Sequence, residues 1–315
     1  MKRIPKIAYI VLASLTLFGC AAGGSNKVVL ATHDSFVVSD ELIAEFENDT
    51  GLDLVIVKAG DAGALTNKLI LTKGDPIADA AYGVDNTFLG AATDNGIFRT
   101  ETVTAVDTAD VCFNYDVDWF EKHKLAAPTD WLQLTLPEYR GLTVVENPTT
   151  SSTGLAFLAS TVGRFGEAKW LQFWKALKDN DVKVAAGWED AYYTHFSGSA
   201  GHGDYPIVLS YSSSPADEQN TAAILDGCFR QTEYAAVLKG AKNSAGAVKV
   251  VNWLLSKNFQ ESLPGAMYVS PVIPGVMLPE SWAAKAPSAR SFFGEGLDIN
   301  GNRQNWLRSW SDLFG

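Results

Sequence analysis

Val28-Val29-Leu30-Ala31, then Leu54-Val55-Ile56-Val57, then the run over 78–82 decide the fold, because each is a short apolar strand set apart from the next by a helical pattern. Ser39 stands ahead of a helix whose apolar positions Leu42, Ile43 and Phe46 recur at helical spacing, and Gly51 ends it. Asp61 opens a second helix that carries Leu65, Leu69 and Ile70 on one face. The third strand closes at Gly83-Val84-Asp85-Asn86. Strand, helix, strand, helix, strand at these lengths predicts a mostly parallel α/β sheet covered by helices on both sides.

Downstream, Val111-Cys112-Phe113-Asn114-Tyr115 reads as a strand leading into a second α/β unit. That unit holds strands over 142–145, 182–185 and 207–209, with helices near 152–165 and 167–177. The chain returns to the first unit at Thr232-Glu233-Tyr234-Ala235-Ala236-Val237-Leu238, and helices over 245–255 and 303–314 complete it. Two lobes joined by two crossings near residues 110 and 230 fit this order. The expected division is 27–109 for the first part of lobe 1 and 110–229 for lobe 2. Residues 230–315 then return to lobe 1, with C-terminal helices packing across the lobes.

Before residue 27 the chain reads as an address. Lys2, Arg3 and Lys6 precede an apolar run of about a dozen residues, too short to cross a bilayer's roughly 30 Å hydrocarbon core. Gly19 and Cys20 resemble a bacterial lipobox, with Phe18 bulkier than that pattern has. The resemblance implies that residues 1–19 are a cleaved signal peptide and that Cys20 carries lipid. Residues 20–26 follow as a tether. An ordinary secretory signal with an incidental cysteine is the plainer alternative. Either way the chain is extracytoplasmic, and the lipid anchor would hold it to the outer face of the membrane. Cleavage would take the chain from 315 residues and a formal charge of −11 to about 296 residues near −14. So acidic a chain argues against nucleic acid, whose phosphates need Lys and Arg, and suits a cationic small molecule. Of three cysteines, Cys112 and Cys228 remain beside the two crossings. In an oxidising compartment they are expected to pair, the alternative being two separate buried thiols.

In open α/β sheets ligands bind beyond the carboxyl ends of the strands. Those ends supply His33-Asp34-Ser35-Phe36, Gly60-Asp61-Ala62-Gly63 and Asp85-Asn86, so Asp34, Asp61 and Asp85 are candidates to make a negative cleft. Helix capping explains Asp61 equally well. Thr149-Thr150-Ser151-Ser152-Thr153-Gly154 opens an apolar helix with hydroxyls and free N–H groups, a cradle suited to an anion such as phosphate. Gly187-Trp188 places an indole at a helix mouth where packing alone would take Leu or Ile. Tyr211 ends the next strand. Flat rings facing carboxylates suit an aromatic cation.

The ordered set of these segments, with Met267-Tyr268 and Pro271, resembles the thiamine-binding proteins of bacterial ABC importers, in particular the lipoprotein forms of actinobacteria. The resemblance runs from about Val28 to Trp310. It implies a two-lobed periplasmic binding protein fold of type II, with a ligand cleft between lobes and a two-crossing hinge. It further implies ligand contacts from Asp34, Ser35, Asp61, Ser151, Ser152, Trp188, Tyr211 and Tyr268. Asp85, the Gly154 backbone and Tyr192 join that set from the strand-end and helix-mouth argument. The expected ligand is thiamine or one of its phosphates, and the expected partner is an ABC permease. A monomer with no cofactor, no metal and no catalytic step is expected. The chain departs from the enterobacterial pattern at His33 and Asp217, each where a Tyr is usual, and at Ala266, where a Trp is usual. The loop after Phe36 is also shorter and lacks a Trp, so the aromatic cage is thinner.

Two rivals follow from the same residues. Ferric iron could be held by Tyr192, Tyr193 and His33, which are sensible hard ligands, although neighbouring side chains on a helix point about 100° apart. A cysteine-dependent, thiamine-cleaving enzyme would need Cys112 as a free thiolate beside a base. No Gly-x-Ser-x-Gly elbow is present for a serine hydrolase.

Overall fold

The computed structural model describes residues 26–315. The lipobox, Cys20 and most of the tether therefore lie outside the described residues. The expected alternation is present: β1 (Lys27–Thr32), α1 (Asp40–Thr50), β2 (Asp53–Lys58), α2 (Ala62–Leu71), β3 (Ala80–Asp85) and α3 (Leu89–Asp94). Ser39 caps α1 through its Oγ, and Gly51 closes it in the left-handed region at φ 68°. β1 pairs in parallel with both β2 and β3, leaving the carboxyl ends of all three strands along one edge.

The third strand begins and ends later than its apolar run suggests. A bulge at Gly83, φ 98°, carries it on to Asp85, because β8 continues to pair beyond the bulge through Val84 with Tyr234 and Asp85 with Glu233. Only glycine leaves room there, since a Cβ on Gly83 would strike the His33 ring.

Two long strands join the halves of the sheet. β4 (Thr104–Asp116) is followed by α4 (Val117–His123), β5 (Thr143–Glu146), α5 (Ser152–Phe165), α6 (Trp170–Asp179), β6 (Lys183–Ala185) and β7 (Ile207–Tyr211), before β8 (Thr221–Val237) returns. The strand order is β2-β1-β3-β8-β4-β7-β5-β6, with β4 and β8 antiparallel at the centre. Both long strands contact each half, so they are the two crossings. Their register breaks between Val111 and Phe113, where the intervening residues of β8 bulge out, and there Cys112 is bonded to Cys228 with Cα atoms 4.7 Å apart.

The remaining elements are α7 (Ser244–Trp253), α8 (Lys257–Met267), β9 (Ser270–Pro271), which pairs with β4, α9 (Glu280–Lys285) and α10 (Ile299–Phe314). α10 touches both halves: Arg303 donates to the Thr87 carbonyl, and Trp310 meets Trp174 of α6 edge to face at 5.8 Å. The second half is packed around Trp131, Phe157, Phe173 and Trp174, all buried. Among the described residues no helix is long and apolar enough to cross a membrane.

Candidate ligand-binding cleft

Where the strand-end edges of the two halves face each other lies a cavity of about 560 Å³, lined by Asp34, Ser35, Asp61, Thr150, Trp188, Glu189, Asp190 and Tyr193, among others. Four carboxylates line it, and neither lysine nor arginine does. A smaller recess beneath is walled by His33, Ser35, Asp61, Ser152, Trp188, Tyr211, Glu233 and Met267. Local structure aims these groups. Asp34 follows β1, and its Oδ1 accepts from the Gly60 N–H at 2.9 Å, tying the ends of β1 and β2 together.

Asp61 does two things with two oxygens. Its Oδ1 caps α2 by accepting from the Ala62 N–H at 2.6 Å, while its Oδ2 accepts from the Trp188 N–H at 2.8 Å on the far side of the cleft. A hydrogen bond from the Ala64 N–H to the Thr150 carbonyl, 3.1 Å, makes a second contact between the halves. Burial raises the Asp61 carboxyl above its ordinary value, and the bonds from Trp188, Ser151 and Ala62 work against that rise. Gly187 lets Asp61 approach, as a Cβ there would lie 2.8 Å from its Oδ2.

The rings form one group. Trp188, 5% exposed, stacks on Tyr192 at 4.9 Å and 14°, tilts against Tyr211 at 5.8 Å, and donates from its indole to Ser210 at 2.9 Å. Tyr192 thus covers one indole face, and Trp188 meets the cavity with what remains. Tyr268 closes α8 in the left-handed region and stands edge-on to Trp188 at 6.0 Å, its hydroxyl 3.3 Å from that of Tyr193. The turn that carries Tyr192 and Tyr193, Asp190–His195, is wound as a π-helix, a form often found at functional sites.

Other candidates fall elsewhere. Asp85 does not line the cavity; it is fully buried, and its Oδ1 accepts from Thr87 Oγ1 and the Phe88 N–H. Gly154 packs against β5, where a Cβ would meet the Glu146 carbonyl at 2.5 Å. Ser151 stands behind Asp61, with its hydroxyl 2.9 Å from that of Thr153, which donates to the buried Glu146. Burial raises that glutamate's pKa well above its ordinary range. The Ser151 and Thr153 hydroxyls at the start of α5 are therefore already engaged with two carboxyl groups of the protein itself, while no side chain caps the helix.

Two rivals meet specific geometry. Tyr192 and Tyr193 lie with ring planes at 85°, the first fully buried and the second 38% exposed, while His33 is paired with Glu233 at 3.4 Å. Among the described residues no cluster of three or more His, Cys, Asp or Glu is arranged to hold a metal ion. Cys112, bonded to Cys228, has no thiolate to offer as a nucleophile. Sequence reasoning missed Glu233 and the pair Glu189 and Asp190. A glutamate inside the apolar returning strand was the available signal for the first.

Comparison with known proteins agrees with this architecture. The family of bacterial extracellular solute-binding proteins matches residues 75–293. The thiamine-binding periplasmic protein of Escherichia coli K12 is 28% identical across 92% of this chain and 95% of its own length. Its Salmonella typhimurium counterpart is 29% identical with the same coverage. A solved periplasmic thiamin binding protein superposes with a TM-score of 0.79 at 26% identity, covering 92% of this chain and 96% of the other. On the family match and on a two-lobed fold built around two crossing strands, this chain belongs to the bacterial extracellular solute-binding proteins.

Proposed function

We propose that this chain is an extracytoplasmic lipoprotein, anchored through Cys20, that captures thiamine as a monomer and delivers it to an ABC importer permease, with no catalytic step. The observation that carries the reading is a cavity with four carboxylates, without lysine or arginine, beside the ring group of Trp188, Tyr192 and Tyr211. Such a site favours a flat cation through charge and cation–π attraction. The relatives' names point to the same ligand.

In this reading residues 27–109 and 230–315 form one lobe and 110–229 the other, and ligand favours closure by touching both. Asp34 and Asp61 balance the positive charge, Ser35 and Ser152 bond the ligand's polar edge, and Trp188 and Tyr211 face its rings. Tyr192 and Tyr268 back the indole, and Ser151 holds Asp61. Because carboxyl groups take up the Ser151 and Thr153 hydroxyls and four carboxylates line the cavity, the arrangement favours thiamine over its phosphate esters. Asp85 supports the hinge rather than the ligand.

Native mass spectrometry of protein purified without refolding would weigh whatever the cleft retains, and a thiamine adduct is expected. Calorimetry of Trp188→Ala and Asp61→Ala tests the roles, with the larger loss of affinity expected from Trp188→Ala. Equal losses would refute the ring assignment.

A further inference from the structure

Three strands place a carboxylate on the same row. Asp85 of β3 faces Glu233 of β8, and Glu233 faces Asp107 of β4. All three are buried, and like charges side by side in a sheet repel. The row is relieved at its Asp107 end and at its centre, Glu233. The Tyr82 hydroxyl donates to Asp107, and the His33 imidazole lies 3.4 Å from Glu233 at the ligand side. His33 walls the recess with Asp61, Ser152 and Tyr211, its ring held against Gly83 and 5.6 Å from that of Tyr82. Its Nε2 is buried with no hydrogen-bond partner beyond that ionic contact.

We propose that His33 is the specificity-determining residue that senses ligand charge: its imidazolium, held by Glu233, fills the cation position of the empty cleft and gives up its proton when a cationic ligand enters. This inference rests on the thiamine reading above. The groups facing the imidazole are Glu233 on β8, Asp61 at the start of α2, Asp34 in its own loop and Tyr82 on β3, with Asp107 and Asp85 behind Glu233 in the row. Burial works to lower the His33 pKa, but Glu233, Asp61 and Asp34 outweigh it and raise the value above the ordinary one. A second positive charge in the recess reverses that balance. Capture of a cation then releases a proton from His33, and affinity rises with pH up to the His33 pKa. An anionic ligand would show the opposite slope.

The test is calorimetric titration with thiamine chloride between pH 5.5 and 8.5, in buffers of different ionisation heat, on the wild type, His33→Gln and Glu233→Gln. Proton release on binding is expected in the wild type, with Kd tightening by up to about tenfold per pH unit below the His33 pKa. His33→Gln should lose that part of the slope, while any titration of thiamine itself remains in both proteins and cancels in the difference. In Glu233→Gln the midpoint should move to lower pH, and an imidazole NMR titration of the ligand-free proteins should move the His33 resonance the same way. Thiamine binding with the same slope in wild type and His33→Gln overturns the inference alone. Absence of binding at every pH overturns the thiamine reading, and the inference with it.

Discussion

Replacing Asp61 by alanine removes three hydrogen bonds, one from Ala62 within its own half and two, from Trp188 and Ser151, across the cleft. The Oδ1 bond to the Ala62 N–H joins adjacent residues, so the proposed hinge motion would leave it intact. Its loss therefore appears in unfolding, at about 1 kcal/mol for an N-cap. The 2.8 Å Oδ2 bond to the Trp188 N–H spans the cleft, so the proposed hinge opening would break it. A bond to an ionised carboxylate contributes about 1.5–3 kcal/mol. Taking ~2 kcal/mol for a partly buried group whose pKa is raised by desolvation, affinity should fall roughly thirtyfold. Asp61→Asn makes the partition visible. Its single amide oxygen can cap α2 or bond Trp188, not both, so it should keep most of the stability and lose most of the affinity. Urea denaturation reads the first quantity and isothermal titration with thiamine the second. The reasoning is refuted if Asp61→Ala binds thiamine as tightly as the wild type, or if both variants lose stability and affinity in equal measure.

Other perturbations follow from the same geometry. A Cβ on Gly63 would lie 2.8 Å from the Thr150 carbonyl across the cleft, so Gly63→Ala should impede closure and weaken thiamine binding at least about tenfold. Small-angle scattering should then show less compaction with ligand, and an unchanged Kd would contradict it. Replacing Cys112 and Cys228 together by alanine opens a loop of 116 residues, with an expected loss of about 4–5 kcal/mol in urea denaturation. A loss below ~1 kcal/mol would count against the entropic account. Burial pushes the Asp85 carboxyl up to about 7, so the folded state holds its proton more tightly than the unfolded state does. Its contribution to stability is present at acid pH and is lost as pH rises from the unfolded value through about 7. Asp85→Asn keeps the oxygen that Thr87 and Phe88 bond and should flatten stability between pH 5 and 8. A profile parallel to the wild type would refute this.

Strand and helix order were legible because they are local. Leu42, Ile43 and Phe46 repeat at helical spacing, and the apolar runs of β1 and β2 need no distant partner to be recognised. α8 was not legible, since Pro264 inside it reads as a helix breaker yet falls in its last turn. For Asp61 the choice between cap and cleft contact was a false one, because each oxygen takes one role. Asp85 sits at a strand's carboxyl end, as site residues do, yet its carboxylate turns back onto Thr87 and Phe88.

By itself the sequence determined the alternation of elements, the two crossings, the strand-end carboxylates and the ring-bearing turns, all written in spacing and residue type over a few positions. Only the tertiary structure decided which of them meet. Asp61 reaches Trp188, 127 positions away, and the row of Asp85, Glu233 and Asp107 depends on the register of strands well over a hundred residues apart. A slip of one residue in that register would turn every side chain to the opposite face, and no local pattern contains it.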